Sequence, residues 1–409
     1  MTKDNLEPLS MRTLFVHERF GALGGAEANI LLTASELRRR GHTVGVLHGP
    51  GTGRCESQWF EVFSRTFPLR KKAAFESVQN ALWDFEPDLI YVHKMPQLDA
   101  MEALFGSGIP VVRMVHDHDL YCMRSYKYNF FTRKICRRPA SAYCIFGCAA
   151  FLARNREGKF PLKWVSYFAK KKEIRLNHKC TRLIVATQYM RDELIRNGFQ
   201  PERIDVLPPV PQPSQATLRS NFSRNLLIFA GQIIRGKGVD VLLESLARVE
   251  VPFDCIILGD GNHRGYCEQL SRQLGLESRV HFKGFIPQNE IKEYYREATA
   301  VVLSSVWPEP FGAIGLEGMR YGLPVVAFDA GGIKEWLIDG FNGWLVRWMD
   351  KDGFAARVQQ LLTDKEEARR MGQNALKLAS SQFDFSNYIS GLESVFARVL
   401  GVATERAAV

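Results

Sequence analysis

Apolar residues follow two alternating rhythms along the chain. Short, mostly apolar runs read as strands: TLFVH (13–17), TVGVLHG (43–49), LIYVH (89–93), PVVRMVH (110–116) and RLIVAT (182–187). Longer stretches stand between them, such as AEANILLTASELRRRGH (26–42), whose apolar positions recur at helical spacing. Strands separated by helices predict a parallel sheet with helices on both faces. The rhythm breaks at LPPVPQPSQATLRS (207–220), where four prolines in seven positions exclude a helix or a central strand. It restarts with NLLIFAG (225–231), FDCIILGDG (253–261), RVHFKGF (279–285), TAVVLSS (299–305) and PVVAFDAGG (324–332). The pattern predicts two doubly wound α/β domains in tandem, residues 1–208 and 209–382, joined by that proline-rich linker. A last helical stretch, FSNYISGLESVFARVL (385–400), lies within residues 383–409 and is expected to cross back to the first domain. Ligands of such sheets bind outside the carboxyl ends of the strands, so two facing sheets put a ligand in the cleft between domains.

Composition narrows the class. Of 409 residues, 46% are hydrophobic and 24% charged, enough for two ordinary globular cores. No run approaches the length of apolar chain that spans a bilayer, and the first residues lack the apolar core of a secretory signal. The expected compartment is the cytoplasm, where the eight cysteines read as thiols or metal ligands rather than disulfides. The net charge of +10 is uneven. Residues 113–182 hold seventeen Lys or Arg against four Asp or Glu, a local +13, while the rest holds 37 against 40. That patch suits an anionic partner, such as the inner face of a membrane, or is simply a solvated basic face. Nucleic acid is disfavoured, since no reader motif accompanies the charge.

Three strand-to-helix turns carry candidate chemistry. HERFGALGGAE (17–27) offers Gly21, Gly24 and Gly25 before a helix, where backbone N–H groups can meet an anion; a plain turn reads the same way. GQIIRGKG (231–238) puts Arg235 and Lys237 among glycines, and a charge-assisted contact to a diphosphate adds about 1.5–3 kcal/mol. PEPFGAIGLEGMRYGLP (308–324) sets Glu309 before a helix start and Glu317 within the helix. A phosphate held near Phe311 and Gly312 leaves two acids on either side of it. Carboxylates accept well from adjacent hydroxyls, and a nucleotide sugar has that layout: ribose, diphosphate, sugar.

EPFGAIGLE resembles the paired-glutamate motif of retaining glycosyltransferases of the GT-B fold, glycosyltransferase family 4. FGALGGAE, GQIIRGKG, LGDG, VHFKGFIP and GLPVVAFDAGGIKEWLIDGFNGWLV resemble that family's other motifs in order, over nearly the whole chain. The resemblance implies an α/β GT-B fold of two Rossmann-like domains facing a central cleft. It also implies transfer of a hexose from a nucleoside-diphosphate sugar to a glycan or lipid-linked acceptor, in polysaccharide or glycolipid synthesis. By the same resemblance Glu309 contacts the transferred sugar, His116 faces it, and Lys237 holds the diphosphate. Glu317 binds the ribose and Ile286 borders the base. Phe311 and Gly312 present backbone N–H groups. Gly24 and Gly25 touch phosphate or acceptor, and Gly231 opens the phosphate turn. One position departs from the family: Gln232 stands where an arginine usually follows Gly231. Either Arg235 substitutes for the missing charge, or donor affinity is weaker.

Two features stay outside those motifs. HDHD (116–119) contains a D-x-D, but Lys237, Arg235 and a helix start can carry the leaving-group charge, so no cofactor is expected for catalysis. Asp117 and Asp119 are expected to orient His116 or cap the next segment. Cys122, Cys136, Cys144 and Cys148 fall close together, and either hold a structural zinc or other metal or are ordinary thiols. Residues 151–175 mix aromatic and basic side chains, and either meet a membrane or acceptor or fill the first core. A non-catalytic binding protein of the same fold is the alternative to an enzyme, supported by Gln232 alone.

Overall fold

The structure, a computed structural model, describes residues 10–402 other than 23, 155–161, 211–221 and 223. Most of the proline-rich linker and the middle of the 151–175 stretch therefore lie outside the described residues. Two parallel sheets carry the fold. In spatial order the first runs Arg65–Pro68, Thr43–His48, Arg12–His17, Leu89–Lys94, Val111–Val115, Arg182–Val185 and Ile204–Val206. The second runs Val280–Gly284, Asp254–Leu258, Leu226–Ala230, Ala300–Leu303, Val325–Phe328 and Gly343–Val346. Both start from an inner strand and wind outward in each direction, the doubly wound order that leaves a crevice at the carboxyl ends where the winding reverses.

The strands form because nearly every side chain in them is covered. Val111–Val115 and Leu226–Ala230 are buried throughout, as strands between two helical layers must be. Their covering helices show one apolar stripe each. In Ala74–Phe85, Val78, Ala81, Leu82 and Phe85 are buried, and Leu242, Leu243 and Leu246 are among those buried in Val239–Leu246. Side chains close several helix starts, with Thr187, Asp350, Asp364 and Asp384 each accepting a backbone N–H.

The last helix, Phe385–Leu400, packs on the first sheet's helices rather than the second's. Arg40 Nη1 meets Glu393 Oε2 at 2.7 Å, and His42 Nε2 meets Glu393 Oε1 at 2.9 Å. Phe396 packs edge-on against Tyr91 at 5.1 Å. One hydrophobic core consequently runs from the first sheet through this helix to the inner face of the second sheet. A second core fills the outer face of the second sheet.

Between Val115 and Tyr167 the chain leaves the first sheet. This insertion holds a short helix, Tyr143–Phe146, and an antiparallel hairpin, Leu152–Arg154 with Leu162–Trp164. Trp164 and Phe168 are 79% and 81% exposed, so the aromatics of this stretch do not all fill the first core. Ser125, Lys127, Arg133 and Ala149 take left-handed backbone here, an unusual concentration for non-glycine residues. Lys127 pins the insertion from within. It is 2% exposed and its Nζ lies 2.9 Å from Glu193 Oε2 on helix Gln188–Arg196.

Candidate active site

The carboxyl ends of the two sheets meet at contacts such as His118 Nε2 to Pro308 O, and the predicted residues fall into groups there: Lys237 with Glu309, and His116, Gln232, Gly24 and Gly25 around one cavity. Glu309 follows strand Ala300–Leu303 and is 5% exposed. Its Oε1 accepts from Lys237 Nζ at 2.7 Å, from Trp307 Nε1 at 2.9 Å and from Ser305 Oγ. Burial pushes the Glu309 carboxyl up, but the Lys237 charge and these hydrogen bonds prevail and leave it below the ordinary value. Lys237 is held from below, with its ammonium 5.2 Å over the Trp307 ring and its carbonyl accepting from Ser304 Oγ at 3.1 Å. The next residue, Gly238, has φ +66, and a Cβ there would sit 2.1 Å from Ser304 O. Only glycine lets this turn lie so close to the strand end. Glu309 and Lys237, expected at the sugar and the diphosphate, pair with each other in this structure, as a carboxylate this buried needs a cation.

Gly312 has φ +87 and opens helix Ala313–Met319. Trp336 backs this turn, donating Nε1–H to Phe311 O at 2.6 Å and lying where a Gly315 side chain would go. Glu317 is half-buried on that helix and accepts from Tyr295 Oη at 3.4 Å. Ile286 is half-buried in the loop after strand Val280–Gly284 and packs against the first core.

On the first domain's side lies a cavity of about 240 Å³, lined by His17, Glu27, His93, Lys94, His116 and Gln232 among others. Gly231 and Gln232 follow strand Leu226–Ala230, and Gln232 reaches the cavity from the second domain, opposite His116. Gly24 and Gly25 form the start of helix Gly25–Arg39 at its wall, and a Cβ on Gly25 would meet nothing within 4 Å. Part of that helix start is already answered by the chain itself. Glu27 Oε2 accepts from Gly24 N at 2.9 Å, and its Oε1 meets His17 Nε2 at 3.2 Å.

His116 Nε2 lies 2.7 Å from His93 Nδ1. Burial, and then the neighbouring His17, hold His116 well below the ordinary histidine value, so it is neutral at neutral pH. Asp117 and Asp119 do not contact His116 among the contacts described. Asp117 Oδ1 caps Asp119 N at 2.7 Å, and Asp119 Oδ2 lies 3.0 Å from Lys94 Nζ. Lys94 also has Glu18 at 3.6 Å and Asp117 at 3.8 Å, and these acids keep its ammonium charged despite burial.

The cleft is fastened at several points that sequence reading missed. His118 Nε2 donates to Pro308 O at 2.7 Å, directly before Glu309, and its Nδ1 accepts from Tyr121 Oη. Thr187 Oγ1 donates to Pro310 O at 2.8 Å. Glu335 of the second domain accepts from Gln188 N and Tyr189 N at 2.7 and 2.8 Å, capping a helix of the first. The insertion reaches across as well. Arg133 pairs with Asp240 at 2.8 Å, and Arg235 Nη1 donates to Phe130 O at 2.5 Å. Arg235, expected at the diphosphate, thus rests on the insertion.

Two family models match consecutive parts of the chain: Glycosyltransferase Family 4 over residues 23–210 and Glycosyl transferases group 1 over residues 214–378. The chain belongs to the family 4 and group 1 glycosyltransferases. The D-inositol 3-phosphate glycosyltransferase of Frankia alni is 30% identical over 246 residues, 54% of this chain and 60% of that protein. The alpha-D-kanosaminyltransferase of Streptomyces kanamyceticus is 29% identical over 237 residues, 54% of this chain and 61% of that protein. The chain spans little more than half the length of these curated relatives. Among solved structures, Anabaena HepE in complex with UDP and glucose superposes with a TM-score of 0.72 at 21% identity, covering 95% of this chain and 99% of that one. This likeness shows the GT-B fold, two Rossmann-like domains facing a cleft.

In this family 4 glycosyltransferase the insertion after His116 carries the four clustered cysteines. Burial, and the neighbouring Cys122, Cys136 and Cys148, raise the Cys144 thiol. The four sulfurs therefore share one region, but among the described residues no group of three or more His, Cys, Asp or Glu is arranged to hold a metal ion. A tetrahedral zinc needs all four sulfurs about 2.3 Å from one point, an arrangement not seen among the described residues, and none of Cys122, Cys136, Cys144 and Cys148 is in a disulfide. No described helix is long and apolar enough to cross a membrane.

Proposed function

We propose that this chain is a retaining glycosyltransferase that moves a hexose from a nucleoside-diphosphate sugar to a glycan or lipid-linked acceptor, in cell-surface polysaccharide or glycolipid synthesis. The observation that carries the reading is the buried Lys237–Glu309 pair at the carboxyl end of the second sheet, in the domain whose Gln232 lines the cavity with His116. Complexes of Anabaena HepE with UDP and with UDP-glucose support a nucleotide-sugar donor. In this reading Glu317 takes the ribose, Ile286 borders the base, and the turn at Phe311 and Gly312 receives phosphate oxygens. Gly231 and Gln232 line the phosphate turn, and Gly24 and Gly25 close on the phosphate or the acceptor from the first domain.

Lys237 then leaves Glu309 for the diphosphate as negative charge develops there, and Arg235 is within the same loop to follow it. The bond between the sugar's anomeric carbon and the phosphate oxygen breaks, and its electron pair stays with the diphosphate. The acceptor oxygen attacks from the face the diphosphate is leaving, and its proton passes to a phosphate oxygen. Glu309 orients the transferred sugar through its hydroxyls and stabilises positive charge on the ring. His116 contacts the same sugar from the first domain.

The acceptor side is read as facing an anionic membrane from the cytoplasm. Phe146, Trp164 and Phe168 are 87%, 79% and 81% exposed, and exposed Lys163, Lys171 and Lys172 stand among them in the basic segment. Release of nucleoside diphosphate across a panel of nucleotide sugars, with and without acceptor extract, tests the enzyme reading. One preferred donor is expected. Tight donor binding without release would favour the non-catalytic alternative that Gln232 suggests.

A further inference from the structure

Four neighbouring strands of the first sheet carry a histidine at or beside their carboxyl ends. In spatial order these are His48, His17, His93 and His116. His116 and His93 both line the cavity, and His93 is 2% exposed. The two rings stack at 5.0 Å with an 18° angle between planes, and one hydrogen bond of 2.7 Å joins His93 Nδ1 to His116 Nε2. Both imidazoles are neutral, since burial lowers each below its ordinary value and the neighbouring His17 and Arg113 work the same way on both, with Lys94 adding to the effect on His116. One proton therefore lies between them, and its owner decides what His116 shows to the cavity.

The other end of His93 settles the ownership. Its Nε2 is buried and has no hydrogen-bond partner among the described residues. Its surroundings are aromatic, with Phe15 stacked at 5.6 Å and Tyr91 edge-on at 4.4 Å. If His116 donated to His93 Nδ1, the neutral His93 ring would carry its own proton on Nε2, a buried N–H with nothing to accept it. Orphaned buried N–H groups are rarer than under-satisfied acceptors. The opposite arrangement leaves only a lone pair unmatched.

We propose that His93 is a positioning residue for sugar transfer: it donates its Nδ1–H to His116 Nε2 and so keeps the His116 proton on Nδ1, the nitrogen left for the cavity. This rests on the reading of His116 as the group that contacts the transferred sugar. His116 then acts as a neutral hydrogen-bond donor to a sugar oxygen, and it has no free lone pair with which to take a proton from the acceptor. The acceptor proton goes to the departing phosphate instead.

The test is a ring-nitrogen correlation spectrum of the full chain with ¹⁵N-labelled histidine, read beside transfer kinetics. Wild type is expected to show a protonated Nδ1 and a bare Nε2 on His116. His93→Phe fills the same aromatic niche without a donor; it is expected to let His116 populate both tautomers and to lower kcat about tenfold. His93→Asn places an amide N–H close to the original Nδ1 and is expected to restore the tautomer, with kcat within a few-fold of wild type. A wild-type His116 protonated on Nε2 overturns the proposal. So does a His93→Phe protein whose tautomer or kcat matches wild type. The spectra need no turnover, so a wild type that transfers no sugar removes the enzymatic reading while the tautomer is still judged by NMR.

Discussion

Replacing Lys237 by Met keeps the stem of the side chain over Trp307 and removes its charge. Glu309 is then a buried carboxylate whose Oε1 retains Ser305 and Trp307 as donors. Breaking a fully buried ion pair costs about 3–5 kcal/mol. Lys237 is 22% exposed and two donors survive, so a loss of about 2 kcal/mol at neutral pH is expected. The pH dependence identifies the cause. In the native protein the folded pKa of Glu309 is depressed, so the pair stabilises above the ordinary carboxylate value, and that stability is lost as pH falls through the folded pKa. Without Lys237, burial dominates and the folded pKa rises above the ordinary value. The variant then loses stability as pH climbs from the unfolded value toward the raised folded one. The gap between variant and wild type should vanish below the depressed folded pKa of the native Glu309 and widen as pH rises through the ordinary carboxylate value toward the variant's raised one. Urea unfolding followed by tryptophan fluorescence at several pH values reads it, and a gap that does not change with pH would refute the ion-pair assignment. In turnover at saturating donor, the same variant should lose about 100-fold in kcat, the scale of one preorganised charge on a leaving group. Full turnover would remove Lys237 from that role.

Three further outcomes follow from the geometry. Glu317→Ala should raise the KM for donor about 10- to 100-fold with kcat little changed, since a ribose contact is made equally before and during transfer; an equal fall in kcat would move Glu317 to the reacting centre. Gly238→Ala forces a side chain into left-handed backbone and against Ser304 O, and should cost about 3 kcal/mol or more, seen as a lowered Tm. An unchanged Tm would mean that the phosphate turn relaxes away from the strand end. Replacing Phe146, Trp164 and Phe168 together by Ser should lower co-sedimentation with anionic vesicles about tenfold or more without changing Tm; equal binding to neutral vesicles, or no loss, would separate these residues from any membrane contact.

The repeated strand runs were legible because a strand buried on both faces can be little else, and TLFVH, LIYVH and NLLIFAG are such runs. Glu309, Lys237 and Gly312 were legible because charged residues and glycines at strand-to-helix turns have few structural uses. The histidine row was written in the same runs, since LIYVH and PVVRMVH both end on histidine, but adjacency was not. His93 and His116 become neighbours only once crossover helices set the strand order. The same holds for His118 and Pro308, which meet across 190 residues. The pairing of Lys237 with Glu309 was hidden for another reason. Sequence showed which groups stand near a ligand, whereas burial decides which of them must first satisfy each other. The insertion was least legible: its left-handed residues Ser125, Lys127, Arg133 and Ala149 are held by tertiary contacts such as Lys127–Glu193, and no local pattern announces those.

The proposed reaction is transfer from a nucleoside-diphosphate sugar with retention at the anomeric carbon. Proton NMR of the first-formed product, followed in real time with the preferred donor, tests it in one experiment. Release of nucleoside diphosphate is expected in step with a product whose anomeric signal has the configuration of the donor. A product of inverted configuration, or no turnover of any nucleoside-diphosphate sugar, would contradict it.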